Sequence, residues 1–183
     1  MVIETSRLTL ESITPELAAR IVSRDRRTGD DWHAEYPLLE ELSLLRTLAR
    51  THDPDPVFTL YMIRRRDDHI AIGGIGYFGP PDPDGRVRIG YGVVPAARRR
   101  GFATEALRAA IAFAADRGAA TIAADTLAGN SASQKVLIKA GLSEVARSGS
   151  VLYFELGIRK CGDRGNERCR SRNGNGRDRE DQV

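Results

Sequence analysis

The chain has 183 residues, of which 41% are hydrophobic and 29% are charged; this length and composition suit one globular domain with a single substantial core. Its first residues lack a basic segment followed by an apolar run, and no apolar stretch approaches the length of a membrane span. We therefore expect a cytoplasmic protein without a membrane partner.

The net charge of +3 is concentrated near the C-terminal end of the chain. Residues 160–183 contain seven Lys or Arg and five Asp or Glu, a net of +2, so the preceding residues are close to neutral. A nucleic-acid-binding domain usually gathers more positive charge on one face. The charge therefore argues against a nucleic-acid partner, an alternative that rests on this segment and on the runs Arg64–Arg66 and Arg98–Arg100.

Residues 160–183 also differ in hydrophobicity, because only Cys161, Cys169 and Val183 among them are apolar. So little apolar surface cannot offset the entropy cost of ordering the segment. We predict a disordered basic tail at 160–183 that follows a folded domain at 1–159. Both cysteines of the chain lie in this tail without a neighbouring histidine, so we predict no metal site and no cysteine nucleophile.

The first half of the domain is predicted to contain strands and two helices. Thr14, Pro15 and Glu16 supply an N-cap, a first-turn proline and an acidic residue, which together open a helix. In chain order the elements are a strand at Leu8–Glu11, a helix from Thr14, a loop at Thr28–Pro37, a helix at Leu38–Arg50, and strands at Val57–Arg64 and Ile70–Phe78.

The second half alternates strands and helices. Its elements are a loop at Gly79–Gly85, a strand at Arg86–Val94, a helix at Thr104–Asp116, a strand at Thr121–Thr126, a helix at Asn130–Ala140, and a hairpin of Leu142–Arg147 and Ser150–Leu156. A strand–helix–strand unit is a right-handed crossover between parallel strands, whereas the hairpins are antiparallel. The predicted fold is thus α/β (α+β), a single mixed sheet flanked by helices, whose last hairpin offers an edge for a homodimer.

The segment from Gly90 to Leu107 contains the most informative chemistry. A strand ends, a short basic loop follows, and a turn of small residues leads into an amphipathic helix. The N-terminus of such a helix presents unpaired N–H groups and the positive end of the helix dipole, which suits a phosphate. Gly101 and Ala103 leave room for a pyrophosphate, and Arg98–Arg100 add positive charge; the alternative is that these arginines belong to a solvated loop.

This segment resembles the coenzyme A loop of the GNAT acetyltransferases. The run Arg98-x-x-Gly101-x-Ala103 is similar to the family pattern [Q/R]-x-x-G-x-[G/A]. The resemblance covers most of residues 3–156 and implies the GNAT-like acyl-CoA N-acyltransferase fold. Further matches are the strand Gly90–Pro95, the helix start Ala103–Leu107, the segments Asn130–Ser133 and Lys139–Leu142, and Glu4–Leu10, which resembles the branch that includes ribosomal-protein N-terminal acetyltransferases.

The resemblance implies acetyl-CoA as co-substrate and no metal. By this resemblance, main-chain amides surround the pyrophosphate, and the main chain of Tyr91 and Val93 pairs with the pantetheine arm. Ser133 would approach the thioester sulfur. Asn130 faces the same cleft, although an N-cap is an equally good explanation for it. The implied cofactor-binding residues are Tyr91, Val93, Arg98, Arg99, Arg100, Gly101, Phe102, Ala103, Thr104, Asn130 and Ser133.

The general base is not evident from the sequence. Relatives frequently carry a glutamate where this chain has Arg88, and many place a tyrosine on the last long helix, where this chain has Leu137. The remaining candidates for catalytic residues are Ser133 and Glu35, with His33 and Asp125 as further possibilities.

The loop at Thr28–Pro37 is the predicted contact for the acceptor. Trp32, Glu35 and Tyr36 could form an aromatic and acidic pocket that attracts a cationic amine. The alternative is that the tryptophan packs on the core beneath the loop.

The sequence therefore predicts an N-acetyltransferase that transfers acetyl from acetyl-CoA to a primary amine. The acceptor is open between a protein N-terminus, a polyamine, an aminoglycoside-like compound and a small metabolite. The alternative function is a non-catalytic acyl-CoA-binding module, since neither the glutamate nor the tyrosine of the family is in its expected place.

Overall fold

The structure is a computed structural model that describes residues 1–158. The tail predicted at 160–183 lies outside the described residues. Within the described part, none of the helices is long and apolar enough to cross a membrane.

Within residues 1–158, eight strands form one mixed sheet, and four α-helices flank it. The strands are β1 (Val2–Glu4), β2 (Leu8–Ser12), β3 (Leu60–Arg65), β4 (Ala71–Tyr77), β5 (Arg86–Val93), β6 (Thr121–Leu127), β7 (Ser143–Ser148) and β8 (Val151–Gly157). The helices are α1 (Pro15–Ser23), α2 (Leu42–Ala49), α3 (Phe102–Ala115) and α4 (Ser131–Ala140), with short 3₁₀ turns at Leu39–Glu41 and Pro95–Ala97.

The strand order is β1-β2-β3-β4-β5-β6-β8-β7. β5 and β6 are parallel, as the crossover through α3 requires, and the other neighbours are antiparallel. The predicted fold class, a single mixed sheet flanked by helices, is confirmed.

Several element boundaries differ from the prediction for local reasons. Asp55 Oδ1 accepts the N–H groups of Val57 and Phe58 at 2.8 and 2.6 Å, so the strand predicted from Val57 begins only at Leu60. The helix α3 begins at Phe102, two residues earlier than predicted, because Gly101 takes up the N-cap position. In place of the helix predicted at Leu38–Arg50, the chain forms a 3₁₀ turn at Leu39–Glu41 followed by α2. The short edge strand β1 is a further element that the sequence does not predict.

The sheet lies between α3 on one face and the α1–α2 pair on the other. On the α3 face, Tyr77 donates its hydroxyl to the carbonyl of Ala110 at 2.8 Å, and the Tyr61 and Phe113 rings meet edge to face at 5.9 Å. On the opposite face, the residues before α2 press directly against strand backbone. A Cβ on Gly92 would lie 2.6 Å from Leu38 Cδ1. Leu38 can therefore pack this closely on β5 only because residue 92 has no side chain.

Glu105, in the first turn of α3, attaches the β1–β2 turn to this helix. Its carboxylate accepts hydrogen bonds from Thr5 Oγ1 at 2.7 Å, Ser6 Oγ at 3.0 Å, and Arg7 N and Nε at 2.9 and 2.7 Å. Arg7 also donates through Nη1 to the carbonyl of Arg100 at 3.0 Å. Burial would raise the pKa of Glu105, but the hydrogen bonds from Thr5, Arg7 and Ser6 outweigh it and lower that pKa.

Gly73→Ala should test the tight pairing between β4 and β5. A Cβ at this position would lie 2.1 Å from the carbonyl oxygen of Gly92, so we expect the free energy of unfolding to fall by about 1–3 kcal/mol. Urea unfolding measures the effect. Gly129→Ala is the control, because a Cβ there meets nothing within 4 Å; equal stabilities for the two variants would contradict the close approach.

Glu105→Gln should remove a pH-dependent contribution to stability. Because folding lowers this pKa, the ionised carboxylate stabilises the fold above the ordinary Glu pKa of about 4.3, and the stabilisation is lost as pH falls through the lower folded value. At pH 7 we expect the variant to lose about 1–3 kcal/mol. Its stability should also fall less than that of the wild type between about pH 5 and pH 3.

The control for this measurement is Glu144→Gln, whose carboxylate pairs only with the exposed Arg147 on β7. If thermal unfolding at several pH values gives the same profile for Glu105→Gln and Glu144→Gln, the Glu105 cluster does not stabilise the fold.

Candidate active site

β5 and β6 separate partway along their length. They pair from Arg86↔Thr121 to Arg88↔Ala123, and β5 then continues to Val93 without further pairing to β6 in the part of the chain that the structure describes. On its other edge β5 stays bonded to β4, since Phe78 N donates to Arg88 O at 3.0 Å and Val94 N donates to Ile72 O at 2.8 Å.

The main chain of Tyr91 and Val93 points into the resulting gap. Successive residues of a strand direct their N–H and C=O groups to opposite edges. Because Arg88 and Val94 bond to β4, the residues at 91 and 93 direct theirs away from it. An extended molecule with amide groups can therefore pair with β5 there as an added strand would.

An ion pair closes the narrow end of the gap. Arg88 Nη2 lies 2.9 Å from Asp125 Oδ1, and the Arg88 guanidinium stacks 4.9 Å from the ring centre of Phe78. Asp125, one of the candidate bases, is thus paired with the arginine that stands where relatives frequently have a glutamate.

The loop that leads from β5 to α3 presents free main-chain amides. The first helical bond of α3 runs from Glu105 N to Gly101 O at 3.0 Å, so the N–H groups of Phe102, Ala103 and Thr104 come before any helical acceptor. Gly101, with φ of 82°, is the N-cap and has no side chain that could accept them. This first turn is therefore able to bind an anion.

The arginines of this loop differ in their contacts. Arg98 folds back onto the strand, where its Nε donates to the carbonyl of Val93 at 3.0 Å. Arg100 stacks over the Phe102 ring at 5.1 Å, on which Arg7 also lies at 4.8 Å. The three predicted arginines, Arg98, Arg99 and Arg100, are all exposed.

Next to this first turn lies an open cavity of about 650 Å³. Its basic lining residues are Arg7, Arg108 and Lys139, and Thr104 and Gly101 form its border with α3. Glu4 and Glu105 line the same cavity, and Glu105 pairs with Arg7, so the basic residues outside this ion pair are Arg108 on α3 and Lys139 on α4.

Tyr91 and Ser133 meet across the gap. Asn130 Oδ1 accepts the N–H of Ser133 at 3.1 Å, so Asn130 is the N-cap of α4. Ser133 Oγ lies 3.1 Å from the Tyr91 hydroxyl, which also donates to the Ser133 carbonyl at 3.2 Å. Burial raises the pKa of Tyr91 to about 12, although the hydrogen bond to Ser133 opposes it; the phenol is therefore neutral at pH 7 and able to donate.

The sequence predicts a role for the main chain of Tyr91 but not for its phenol. The expected tyrosine position on α4 is Leu137, which is fully buried, whereas the phenol reaches α4 from β5. Only the pairing of Tyr91 with a serine more than forty positions later shows this, and no local pattern indicates it.

Of the three residues predicted to form one acceptor pocket, Trp32 and Tyr36 meet edge to face with ring centres 6.4 Å apart, whereas Glu35 contacts a different part of the chain. Trp32 belongs to the core and is 5% exposed, which agrees with the alternative interpretation of this residue. Glu35 Oε2 accepts the N–H of Ala96 at 3.1 Å and so supports the turn before the cofactor loop, while His33 Nδ1 accepts the Glu35 N–H at 3.1 Å. Tyr36, also buried, lines a second cavity.

Glu41 is the acidic residue of this second cavity, and the sequence analysis did not single it out. It lies in the 3₁₀ turn before α2, where its Oε2 accepts the N–H of Leu38 at 3.2 Å. Its Oε1 is buried and has no hydrogen-bond partner of ordinary geometry within residues 1–158. This oxygen lies 2.8 Å from where a Cβ of Gly74 would be and 3.3 Å from where a Cβ of Gly92 would be.

Burial raises the pKa of Glu41 to about 7. The main-chain groups of Leu38 and Gly74 counteract this only in part, and the neighbouring charge of Glu40 adds to it. A carboxylate with this pKa can both hold and release a proton near neutral pH.

Paired glycines are the sequence signal for this cavity. Gly74 lies opposite Gly92, and Gly76 lies opposite Gly90, so one face of β4 and β5 lacks side chains over two consecutive pairs. The cavity of about 190 Å³ occupies this trough, and Glu40, Glu41 and Tyr36 line it together with Tyr91.

Comparison with known proteins identifies the family of this chain. A family model described as an acetyltransferase (GNAT) domain matches residues 7–143. The uncharacterized N-acetyltransferase YjdG of Bacillus subtilis (strain 168) is 28% identical over 149 residues, which are 77% of this chain and 89% of that protein. YoaA of the same organism, described in the same words, is 29% identical over 148 residues, 78% of this chain and 83% of that protein.

Solved structures share the fold. A ribosomal-protein-S5-alanine acetyltransferase from Vibrio fischeri superposes with a TM-score of 0.60 at 16% identity, covering 86% of this chain and 96% of its own. A GNAT-family acetyltransferase from Bacillus anthracis gives 0.61 at 14% identity, with 86% and 98% covered. With the family model spanning most of the domain, the chain belongs to the GNAT family of N-acetyltransferases.

Proposed function

We propose that this enzyme uses acetyl-CoA as the acetyl donor and transfers the acetyl group directly to a primary amine. The observation that carries the proposal is the continuity of the β5–β6 gap with the free amides at the start of α3. Acetyl-CoA has a matching order of groups, with a thioester and two amides in its extended arm and a diphosphate at the other end of that arm.

Each part of the donor has complementary groups available. The main chain of Tyr91 and Val93 suits the amides of the arm, and the N–H groups of Phe102 to Thr104 suit the diphosphate. The basic cavity beside α3 supplies charge for a further phosphate. The acetyl group then lies toward the end of the gap where Tyr91 meets Ser133.

The reaction replaces one acyl bond by another. The amine nitrogen attacks the thioester carbonyl carbon, a C–N bond forms, and the carbonyl oxygen becomes an oxyanion. The C–S bond then breaks, and coenzyme A leaves as a thiolate. The Val93 carbonyl already accepts Arg98, so the Val93 N–H is its free group for the arm, and a main-chain N–H of β5 nearer the contact of Tyr91 with Ser133 suits stabilisation of the oxyanion.

The departing thiolate needs a proton or a strong hydrogen bond. The Tyr91 phenol is neutral at pH 7, because burial raises its pKa to about 12, and it is held beside Ser133 Oγ. Either hydroxyl can donate to the sulfur as it acquires charge. In this role Ser133 orients the phenol or donates itself, and no covalent enzyme intermediate is formed.

Gly101→Glu should strongly weaken donor binding. The new carboxylate would stand at the N-cap of α3, where the diphosphate accepts its hydrogen bonds, and charge repulsion should weaken acetyl-CoA binding on the order of 100-fold. Calorimetric titration with acetyl-CoA measures it. Release of free thiol in the presence of a panel of primary amines then distinguishes an enzyme from a binding module.

Gly118→Glu is the matched control at the other end of α3. Both glycines have positive φ, 82° for Gly101 and 92° for Gly118, and space around Gly118 is open, so the backbone strain of the two variants is similar. We expect Gly118→Glu to bind acetyl-CoA as the wild type does. Equal loss in both variants, or a wild type that binds no acetyl-CoA, would refute the proposed donor site.

A further inference from the structure

We propose that Glu41 binds the ammonium group of the acceptor and removes its proton, and that the acceptor is a compact primary amine with one positive charge and an apolar substituent. This inference rests on the proposed function and extends it from the donor to the acceptor. It assigns the α2 face of the sheet to the acceptor.

The position of Glu41 places its carboxylate against the strand that borders the donor gap. Oε1 lies 2.8 Å from the Cβ position of Gly74 and 3.3 Å from that of Gly92. Gly92 lies between Tyr91 and Val93, whose main chain points into the gap. A nitrogen held by Oε1 therefore stands over the segment of β5 that borders the thioester.

The hydrogen bonding of Glu41 is half complete. Oε2 is fixed by the N–H of Leu38 at 3.2 Å, which alone would serve a purely structural role in the turn. Oε1 is buried and has no hydrogen-bond partner of ordinary geometry in the described chain, although the main chain of Gly74 is close enough to lower the pKa of the carboxyl; a buried carboxylate oxygen left incompletely paired destabilises the protein. A cation from outside the chain supplies the missing partner.

The cavity indicates the kind of cation. Its volume of about 190 Å³ is below the roughly 300–1,000 Å³ of ordinary ligand sites, so it admits only a small group. Its acidic lining residues are Glu40 and Glu41, while most of the others are apolar or aromatic, among them Leu44, Leu60 and Phe78. A polyamine or an aminoglycoside carries its further charges on a longer or bulkier body than this small and largely apolar cavity admits.

The groups that face Glu41 leave its charge available to the acceptor. Tyr36 from the preceding loop lines the cavity with it, whereas the Tyr61 ring packs against Phe113 of α3 and the Tyr91 hydroxyl meets Ser133, so these two phenols point away from Glu41. Burial raises the pKa of Tyr36 well above its usual value, so this phenol is neutral at pH 7. Glu40, on the same turn, is the other acidic group, and no Lys, Arg or His is among the lining residues.

The protons balance in two steps. The ammonium group gives one proton to the Glu41 carboxylate, and the neutral nitrogen attacks the thioester carbon. Collapse of the tetrahedral intermediate breaks the C–S bond and releases a second proton, which the thiolate receives, by way of Tyr91 or directly. Glu41 then returns its proton to water through the open side of the cavity, and the net products are the amide, coenzyme A thiol and one proton.

Glu41→Gln tests the proposal with 2-phenylethylamine as acceptor. The amide keeps the size of the side chain but cannot take the proton, so we expect kcat/KM to fall by about 10²- to 10⁴-fold. In the wild type, the pH profile of kcat/KM should show an inflection near pH 7, where Glu41 ionises, and this inflection should be absent in the variant, whose kcat/KM should follow only the neutral fraction of the amine. Spermine should be a poorer acceptor than 2-phenylethylamine for the wild type.

Glu16→Gln is the control, because Glu16 is also an acidic residue in a first helical turn, is exposed, and lies outside both cavities; it should leave kcat/KM unchanged. Acetyl-CoA binding by calorimetry separates this proposal from the donor site, and its Kd should be the same for Glu41→Gln and the wild type. Normal turnover and an unchanged pH profile in Glu41→Gln would overturn the role of Glu41. A wild-type preference for spermine, or no turnover of 2-phenylethylamine, would overturn the acceptor class.

Discussion

The separation of β5 from β6 after Arg88 is the constraint on which the rest of the site depends. Two parallel strands that stay paired would satisfy each other's main-chain groups, whereas here Tyr91 and Val93 keep theirs available along an open edge. The same divergence leads the chain from β5 into the loop whose amides begin α3. A single feature of the sheet thus provides both an extended pairing edge and an anion site.

The proposed acceptor site depends on the absence of side chains from one face of β4 and β5. The opposed pairs Gly74↔Gly92 and Gly76↔Gly90 remove side chains from one face of β4 and β5, which allows Glu41 to reach the backbone and leaves a small apolar cavity beside it. The two substrates can therefore approach β5 from different directions. The donor would lie along its edge and the acceptor on its α2 face, with the reacting atoms meeting near Tyr91.

Features of the site that depend on neighbouring residues in the chain could be predicted from the sequence, whereas features that depend on long-range packing could not. The fold class and the loop from Arg98 to Thr104 follow from contiguous patterns, a strand, a glycine turn and an amphipathic helix, and the structure has these elements. The position of Glu41 in the site could not be predicted, because it depends on the packing of a 3₁₀ turn against glycines more than thirty residues away. In the same way Trp32 could not be told from an acceptor contact, since its burial in the core depends on the tertiary fold.

The most direct test of the proposed donor site is an NMR titration of the ¹⁵N-labelled chain with coenzyme A. If coenzyme A binds along the β5–β6 gap, the amide signals of Phe102, Ala103 and Thr104 should shift together with those of Tyr91 and Val93, because these N–H groups border the proposed site. The signals of β7, on the far edge of the sheet, should stay in place. Shifts that spare both segments, or no shifts at saturating coenzyme A, would contradict the assignment of the β5–β6 gap to the acetyl donor.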